Sequence, residues 1–260
     1  MYIISDIIDK LNEIYLPSLQ EPYDNSGIQV GDTNQPLTSA LFTTDITEAT
    51  IDEAIGVGAN LVISHHPLIF HGLKHLTNAT YIERTIIKAI KHNIVLFSIH
   101  TNADKVVGGV SYRMAQKIGL IDTQTLIPET NNNDGLGCIG ILPTAEDELN
   151  FLNRLKNIFS TRCIRHSSLL NHSIQKVALC GGSGAEFINE VIKQKADIYI
   201  TADVKYHDFF SAENKIVIAD IGHFESEHFT KEVFCEQLIK YFPNFVCLMA
   251  DTDVNPVFYI

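Results

Sequence analysis

The chain has 260 residues, 45% hydrophobic, 19% charged and 9% aromatic, which is enough apolar material for a substantial core and too even a composition for a disordered or fibrous chain. Its formal net charge is −12, which argues against a broad phosphate-tracking surface for nucleic acid and suits cation binding. Five cysteines, Cys138, Cys163, Cys180, Cys235 and Cys247, are odd in number and form no Cys-x-x-Cys pair, so neither a disulfide framework nor a thiolate zinc site is expected.

The first residues meet acidic side chains within six positions and lack the basic start of a signal peptide, and no apolar run reaches bilayer length. The expectation is a cytoplasmic chain with no membrane segment. From Ile4, apolar residues at 4, 7, 8, 11, 14 and 15 recur at helical spacing and predict an amphipathic helix that ends before Pro17. Strands are expected over 28–30, 40–44, 60–64 and 94–99, with helices near 48–57, 80–92 and 108–118. After a polar stretch at 129–134 comes a second series: strands near 136–142, 175–180, 197–201 and 215–219, and helices near 146–158, 185–194 and 223–241. This alternation predicts an α/β fold with mixed, mostly parallel sheets flanked by helices.

Ile51-Asp52-Glu53-Ala54-Ile55 and Ala59-Asn60-Leu61-Val62-Ile63-Ser64 match Ile188-Asn189-Glu190-Val191-Ile192 and Ala196-Asp197-Ile198-Tyr199-Ile200-Thr201 at one constant offset. An internal duplication follows, with a first α/β repeat at 1–128 and a second at 135–260. His65 and His66 then correspond to Ala202 and Asp203, all just beyond the carboxyl end of a strand, where open α/β sheets place their sites.

Three such strand ends carry chemistry. Ser64-His65-His66-Pro67 takes a buried strand directly into two imidazoles. Adjacent side chains in extended backbone point in opposite directions, so the two rings serve different ions, or one binds and the other supports it. His100-Thr101-Asn102-Ala103-Asp104 follows the next strand. Asp104 is either a bridging carboxylate or a helix cap, and His100 a ligand, a proton carrier or a hydrogen-bonded support. In Gly222-His223-Phe224-Glu225-Ser226-Glu227, His223 and Glu227 lie four apart and share one helix face. Each cluster alone has an ordinary structural explanation. Together they supply three imidazoles and two carboxylates, more than one tetrahedral ion needs and suited to two divalent ions. Nitrogen and oxygen donors without sulfur admit zinc, iron, manganese, cobalt or nickel.

Together with Tyr23-Asp24-Asn25-Ser26-Gly27-Ile28-Gln29-Val30-Gly31 and Thr201-Ala202-Asp203-Val204-Lys205-Tyr206-His207, these motifs resemble the GTP cyclohydrolase I type 2 family, also called the Ngg-one-interacting-factor-three-like family. The resemblance runs from near the N-terminus to the last helix. It implies two intertwined α/β repeats, a dinuclear metal site on His65, His66, Asp104, His223 and Glu227, and a homohexamer built as a trimer of dimers. The short connection near 125–135 makes this the compact form, without the domain that larger members carry between the halves. Tyr23 stands where the family usually has tryptophan. Ala202 stands where it usually has glycine, which bears on the turn at 201–203 because alanine resists positive φ.

A paired metal centre implies metal-assisted hydrolysis, and the family name implies water attack on the guanine ring of GTP, with His100 as the candidate for proton transfer. Lys74, Lys105 and Lys205 lie near the motifs and are candidates to offset triphosphate charge. Beside this reading stand a hydrolase of another phosphoester or amide, and a non-catalytic metal-binding regulatory ring.

Overall fold

A computed structural model describes residues 2–129 and 133–260. In chain order the elements are α1 (Ile4–Ile14), β1 (Gly27–Val30), β2 (Ala40–Thr43), α2 (Glu48–Val57), β3 (Leu61–Ser64), α3 (Tyr81–Lys91), β4 (Val95–Ser98), α4 (Thr101–Lys105), α5 (Val110–Ile118), β5 (Ile121–Pro128), β6 (Gly135–Asp147), α6 (Glu148–Ile158), β7 (Arg165–His166), β8 (Ser173–Ser183), α7 (Ile188–Lys193), β9 (Ile198–Ala202), β10 (Val217–Asp220), α8 (His223–Glu227), α9 (Thr230–Leu238) and β11 (Cys247–Met249). The expected fold class holds: two mixed sheets flanked by helices. No described helix is long and apolar enough to cross a membrane.

The chain packs as two compact units. The first runs to Ala103 and resumes over His228–Val254, and the second takes Asp104–Glu227 and Asn255–Ile260. This division falls elsewhere than the boundaries of the sequence repeat.

In the first unit the strand order is β1-β4-β3-β2-β11. The last four strands are mutually parallel, and β1 runs antiparallel to β4. Every residue of β2, β3 and β4 is buried, the continuous apolar pattern of parallel strands covered on both faces. Leu41, Val62 and Leu96 from the sheet pack with Ile51 and Ala54 of α2 and Ile86 and Ala89 of α3. Helix α1 buries Ile4, Ile7, Ile8 and Leu11, and Asp6 reaches back to the Ile3 amide at 2.9 Å, satisfying a donor that the helix start leaves exposed.

In the second unit the order is β5-β6-β8-β9-β10-β7. Strands β8, β9 and β10 are parallel, and β5, β6 and β7 join antiparallel. Tyr199, fully buried, packs with Ile188, Val191, Ala178 and Ile218 and donates its hydroxyl to the Gly184 carbonyl at 2.8 Å. The two matched sequence runs fold alike, as α2 then β3 and as α7 then β9. Each strand lies between two parallel neighbours.

The structure corrects two expectations. Residues 125–128, read as connection, belong to β5, which pairs antiparallel with β6. Only Thr125 and Leu126 of that strand are buried, so its apolar signal is weak. Residues 130–132 of the expected connection lie outside the described residues. The helix expected over 223–241 is two helices, α8 and α9. Ser226 Oγ donates to the His223 carbonyl at 2.8 Å, a local bond that competes with the helical ladder. The short strands β7 and β11 carry too few residues to show a period.

Candidate metal centre

In the first unit, β3 and β4 lie side by side with Ser64 opposite Ser98, so the residues just past their carboxyl ends emerge together. His65 and His66 follow one strand and His100 the other. The ring centroids are 4.8 Å apart for His65 and His66, 5.3 Å for His65 and His100, and 5.4 Å for His66 and His100. Because β3 ends at Ser64, the strict alternation of a strand does not govern the His-His pair, and both rings join one cluster.

Each ring is anchored at Nδ1. In fully buried His65 it lies 2.9 Å from the Ile99 carbonyl oxygen. In His66 it is 2.9 Å from Asp45 Oδ1, and in His100 2.7 Å from Asp24 Oδ1. A carbonyl or carboxylate oxygen only accepts, so Nδ1 carries the proton and donates, and the lone pair is assigned to Nε2. This is how proteins hold histidines that bind metals. One ring nitrogen of each residue lies within 4.8 Å of the others', and the three together can hold a metal ion.

Asp24 is the hub of this arrangement. Besides His100 it accepts from the Thr101 amide at 3.1 Å, the Thr101 hydroxyl, the Asn25 amide at 2.7 Å and Ser26 Oγ at 2.9 Å. Burial penalises its charge, but the bonds from His100, Thr101 and Ser26 outweigh that penalty and hold the carboxyl well below the usual range.

In the second unit, His223 and Glu227 sit one turn apart on α8, with Nε2 3.0 Å from Oε2. His223 Nδ1 lies 2.6 Å from Asp203 Oδ2, so a fourth histidine repeats the anchoring of the other three. The positive φ of the turn after β9 falls on Asp203, at 55°, a residue type that tolerates it. Ala202 merely ends the strand, so the family's usual glycine is not needed there. Asp220, at the end of β10, accepts from the Val204 amide at 3.0 Å and the Gly222 amide at 3.1 Å and pairs with Arg165. One carboxylate thereby pins the loops that carry Asp203 and His223.

Burial disfavours a charged His223, but Glu227 and Asp203 outweigh it and push the ring up to about 11. The His223 bond in turn holds Asp203 below its ordinary value. A divalent ion held by His223 would have to displace that proton. Asp104 lies on α4. Burial above all, and then the charges of Asp104, Glu186 and Glu227, raise the Cys180 thiol, leaving the cysteine protonated and inert. Lys105 is buried and paired with Glu129 at 2.8 Å, which takes it out of the lysines proposed to meet phosphate.

Gly182, on β8, has φ +61, and a methyl there would collide with Glu227 Oε1 and come within 3.3 Å of His223 Nε2. Gly182→Ala is expected to cost about 1–2 kcal/mol of stability through its backbone alone and to displace Glu227. Urea unfolding and metal content of the purified variant check both effects.

The structure thus gathers His65, His66 and His100 in the first unit, sets His223 against Glu227 in the second, and places Asp104 in the second. Sequence reasoning gave no role to Asp24 or Asp45, and placed Asp203 at a strand end without assigning it a partner. Asp45 and Asp203 closely follow β2 and β9, the same strand-end position that singled out the histidines.

The match to the model of the Duf34/NIF3 (NGG1p interacting factor 3) family covers residues 2–256. A protein of Clostridium perfringens named GTP cyclohydrolase 1 type 2 homolog is 36% identical over 229 residues, 86% of this chain and 86% of that one. One of the same name from Lactococcus lactis is 34% identical over 236 residues, 88% and 89% of the two chains. Among solved structures, a Staphylococcus aureus hypothetical protein superposes with a TM-score of 0.93 at 25% identity, over 99% of both chains. A Bacillus cereus protein related to NIF3 gives 0.92 at 23% identity, over 100% of this chain and 99% of that one. A family match that spans nearly the whole chain, and relatives of closely similar length, establish that the chain belongs to the Duf34/NIF3 family.

Proposed function

We propose that this chain holds two divalent metal ions on His65, His66, Asp104, His223 and Glu227 and acts as a metal-dependent hydrolase of the GTP cyclohydrolase 1 type 2 kind. The observation that carries the reading is the shared anchoring of His65, His66, His100 and His223, each donating from Nδ1 to an oxygen. Rings oriented through one nitrogen by a fixed oxygen partner suit ligation through the other. Imidazole and carboxylate donors match the borderline ions zinc, iron, manganese, cobalt and nickel.

Bound ions of this kind acidify water and polarise an oxygen-rich substrate. The chain's part is to fix the rings: Asp45 holds His66 and Asp203 holds His223, so both nitrogens stay directed while substrate comes and goes. The relatives' name supports GTP as substrate, with water opening the guanine ring. A homohexamer in the cytoplasm belongs to the same reading.

The test is elemental analysis of the native protein beside His66→Ala and Glu227→Ala, followed by a GTP turnover assay. About two ions per chain, lost in the variants, are expected, with ring opening that disappears along with the metal. A native protein without metal defeats the reading. Full metal content without turnover moves the assignment to another phosphoester or amide, or to a regulatory ring.

A further inference from the structure

We infer that the cavity between the segment 69–76, α3 and the end of β1 binds an amphipathic monoanion, an aliphatic acyl chain whose carboxylate meets Lys74. The site lies wholly in the first unit and goes beyond the metal reading, because none of the residues proposed to hold metal lines it.

The cavity measures about 640 Å³, within the roughly 300–1,000 Å³ of sites that take small organic molecules. Its apolar wall is Val30, Ile69, Leu73, Leu76, Ile86 and Ile90. All six are aliphatic, which gives a flexible chain close contact and a planar ring no stacking partner. Ile86 is buried, whereas Leu73, Leu76 and Ile90 are 40%, 49% and 53% exposed. Single exposed apolar side chains are ordinary, but three converging on one concavity mark a binding surface.

The wall is built before anything binds. At one end of the segment the Ile69 amide donates to Gln29 Oε1 at 3.1 Å, and the Ile69 carbonyl accepts from Asn25 Nδ2 at 2.5 Å. Just past the other end, Glu83 of α3 accepts from the Thr77 amide and hydroxyl, both at 2.7 Å, and from the Ala79 amide at 3.1 Å. Gly31 closes the strand side: its φ is +104, and a methyl there would come within 2.9 Å of Val95 Cα, so β1 ends pressed against β4. Walls fixed in this way lower the ordering entropy lost on binding.

The polar groups select the occupant. Gln29 is engaged with Ile69 and with the Asn25 carbonyl. That leaves Lys74 and His75, which have no hydrogen-bond or ion-pair partner among the described residues. In a chain of net charge −12, a lysine without a carboxylate at the lining of an aliphatic cavity complements an anion with an apolar body. One ammonium matches one carboxylate better than the triphosphate for which the sequence suggested Lys74, because further charges set against this wall would be desolvated without partners.

The experiment is isothermal titration calorimetry of decanoate, and of decanol as its uncharged counterpart, into the native protein, the same protein stripped with chelator, and the Lys74→Glu and Ile90→Asp variants. Both substitutions fall at exposed positions, and circular dichroism checks that the variants fold. One decanoate per chain is expected, weakened about tenfold or more by Lys74→Glu. Decanol is expected to ignore Lys74→Glu, and both probes to be weakened by Ile90→Asp. Stripping the metal should leave decanoate affinity unchanged, so this site and the metal reading stand or fall separately. No saturable decanoate binding, or binding that survives both substitutions, overturns the inference. So does binding lost with the metal, which places the carboxylate at the metal centre, or a native assembly that Ile90→Asp takes apart, which makes this face a surface between copies of the chain.

Discussion

Asp24→Ala is expected to lower the free energy of unfolding of the metal-free protein by about 3–5 kcal/mol. The side chain is wholly buried against His100, and its loss strands the Thr101 amide and hydroxyl in a place where water is scarce, while the Ser26 hydroxyl keeps Asn102 Oδ1 at 3.2 Å as an acceptor. Buried donors left without acceptors cost about 1–3 kcal/mol each, partly recovered as the turn relaxes. The effect has a pH signature. The folded carboxyl titrates well below its ordinary 3.8, so its contribution is fully present above about pH 4 and is lost as pH falls through the folded value. Wild-type stability therefore drops on acidification below pH 4, while the variant, lacking this group, responds less steeply. Urea denaturation at pH 7 and pH 3.5, in the presence of chelator, measures both. A difference under about 1 kcal/mol at pH 7 would mean that water replaces the carboxylate without penalty.

Asp45→Ala and Asp203→Ala are each expected to weaken divalent-ion binding by about 10–100-fold although neither removes a proposed ligand. Each carboxylate is bound to the far nitrogen of a ring, His66 at 2.9 Å and His223 at 2.6 Å. Without it the imidazole is free to rotate and to place its proton on the nitrogen that must bind. The carboxylate also makes the ring a better donor. Zinc affinity by competitive titration reads the loss. Equal substitution at Asp32, which is exposed and only caps a local turn through Asn34, should leave it unchanged. If Asp45→Ala binds zinc as wild type does, the Nδ1 contact is incidental to ligation.

Much of this was legible in the sequence because the signals were periodic or adjacent. The 4-7-8-11 apolar spacing gives α1, the unbroken Leu61-Val62-Ile63 run gives β3, and a strand that runs straight into His65-His66 announces a site. The cluster partners were hidden for the opposite reason. Asp24 meets His100 across a separation of 76 residues, and Asp45 meets His66 across 21. Nothing local marks an aspartate in a turn as the acceptor of a distant ring. Strand β5 escaped because most of its residues are half-buried or exposed and its partner supplies the hydrogen bonds. The break between α8 and α9 escaped because apolar spacing continues through it, while the Ser226 hydroxyl beside it engages both the Gly182 amide and the His223 carbonyl, contacts that no sequence period shows.

The pairing of β11 with β2 has a consequence for how the chain is made. Cys247 lies beside Ala40 and Met249 beside Phe42, so the first sheet awaits a strand that leaves the ribosome last. At about 5–20 residues per second, the roughly 200 intervening residues take on the order of 10–40 s to synthesise. Throughout that interval the backbone edge of β2 has no partner strand on that side, the kind of surface on which nascent chains join one another. The second unit is drawn almost wholly from one continuous stretch, Asp104–Glu227, and its sheet is complete while the N-terminal half still waits. The part of the protein translated first is the part that finishes folding last.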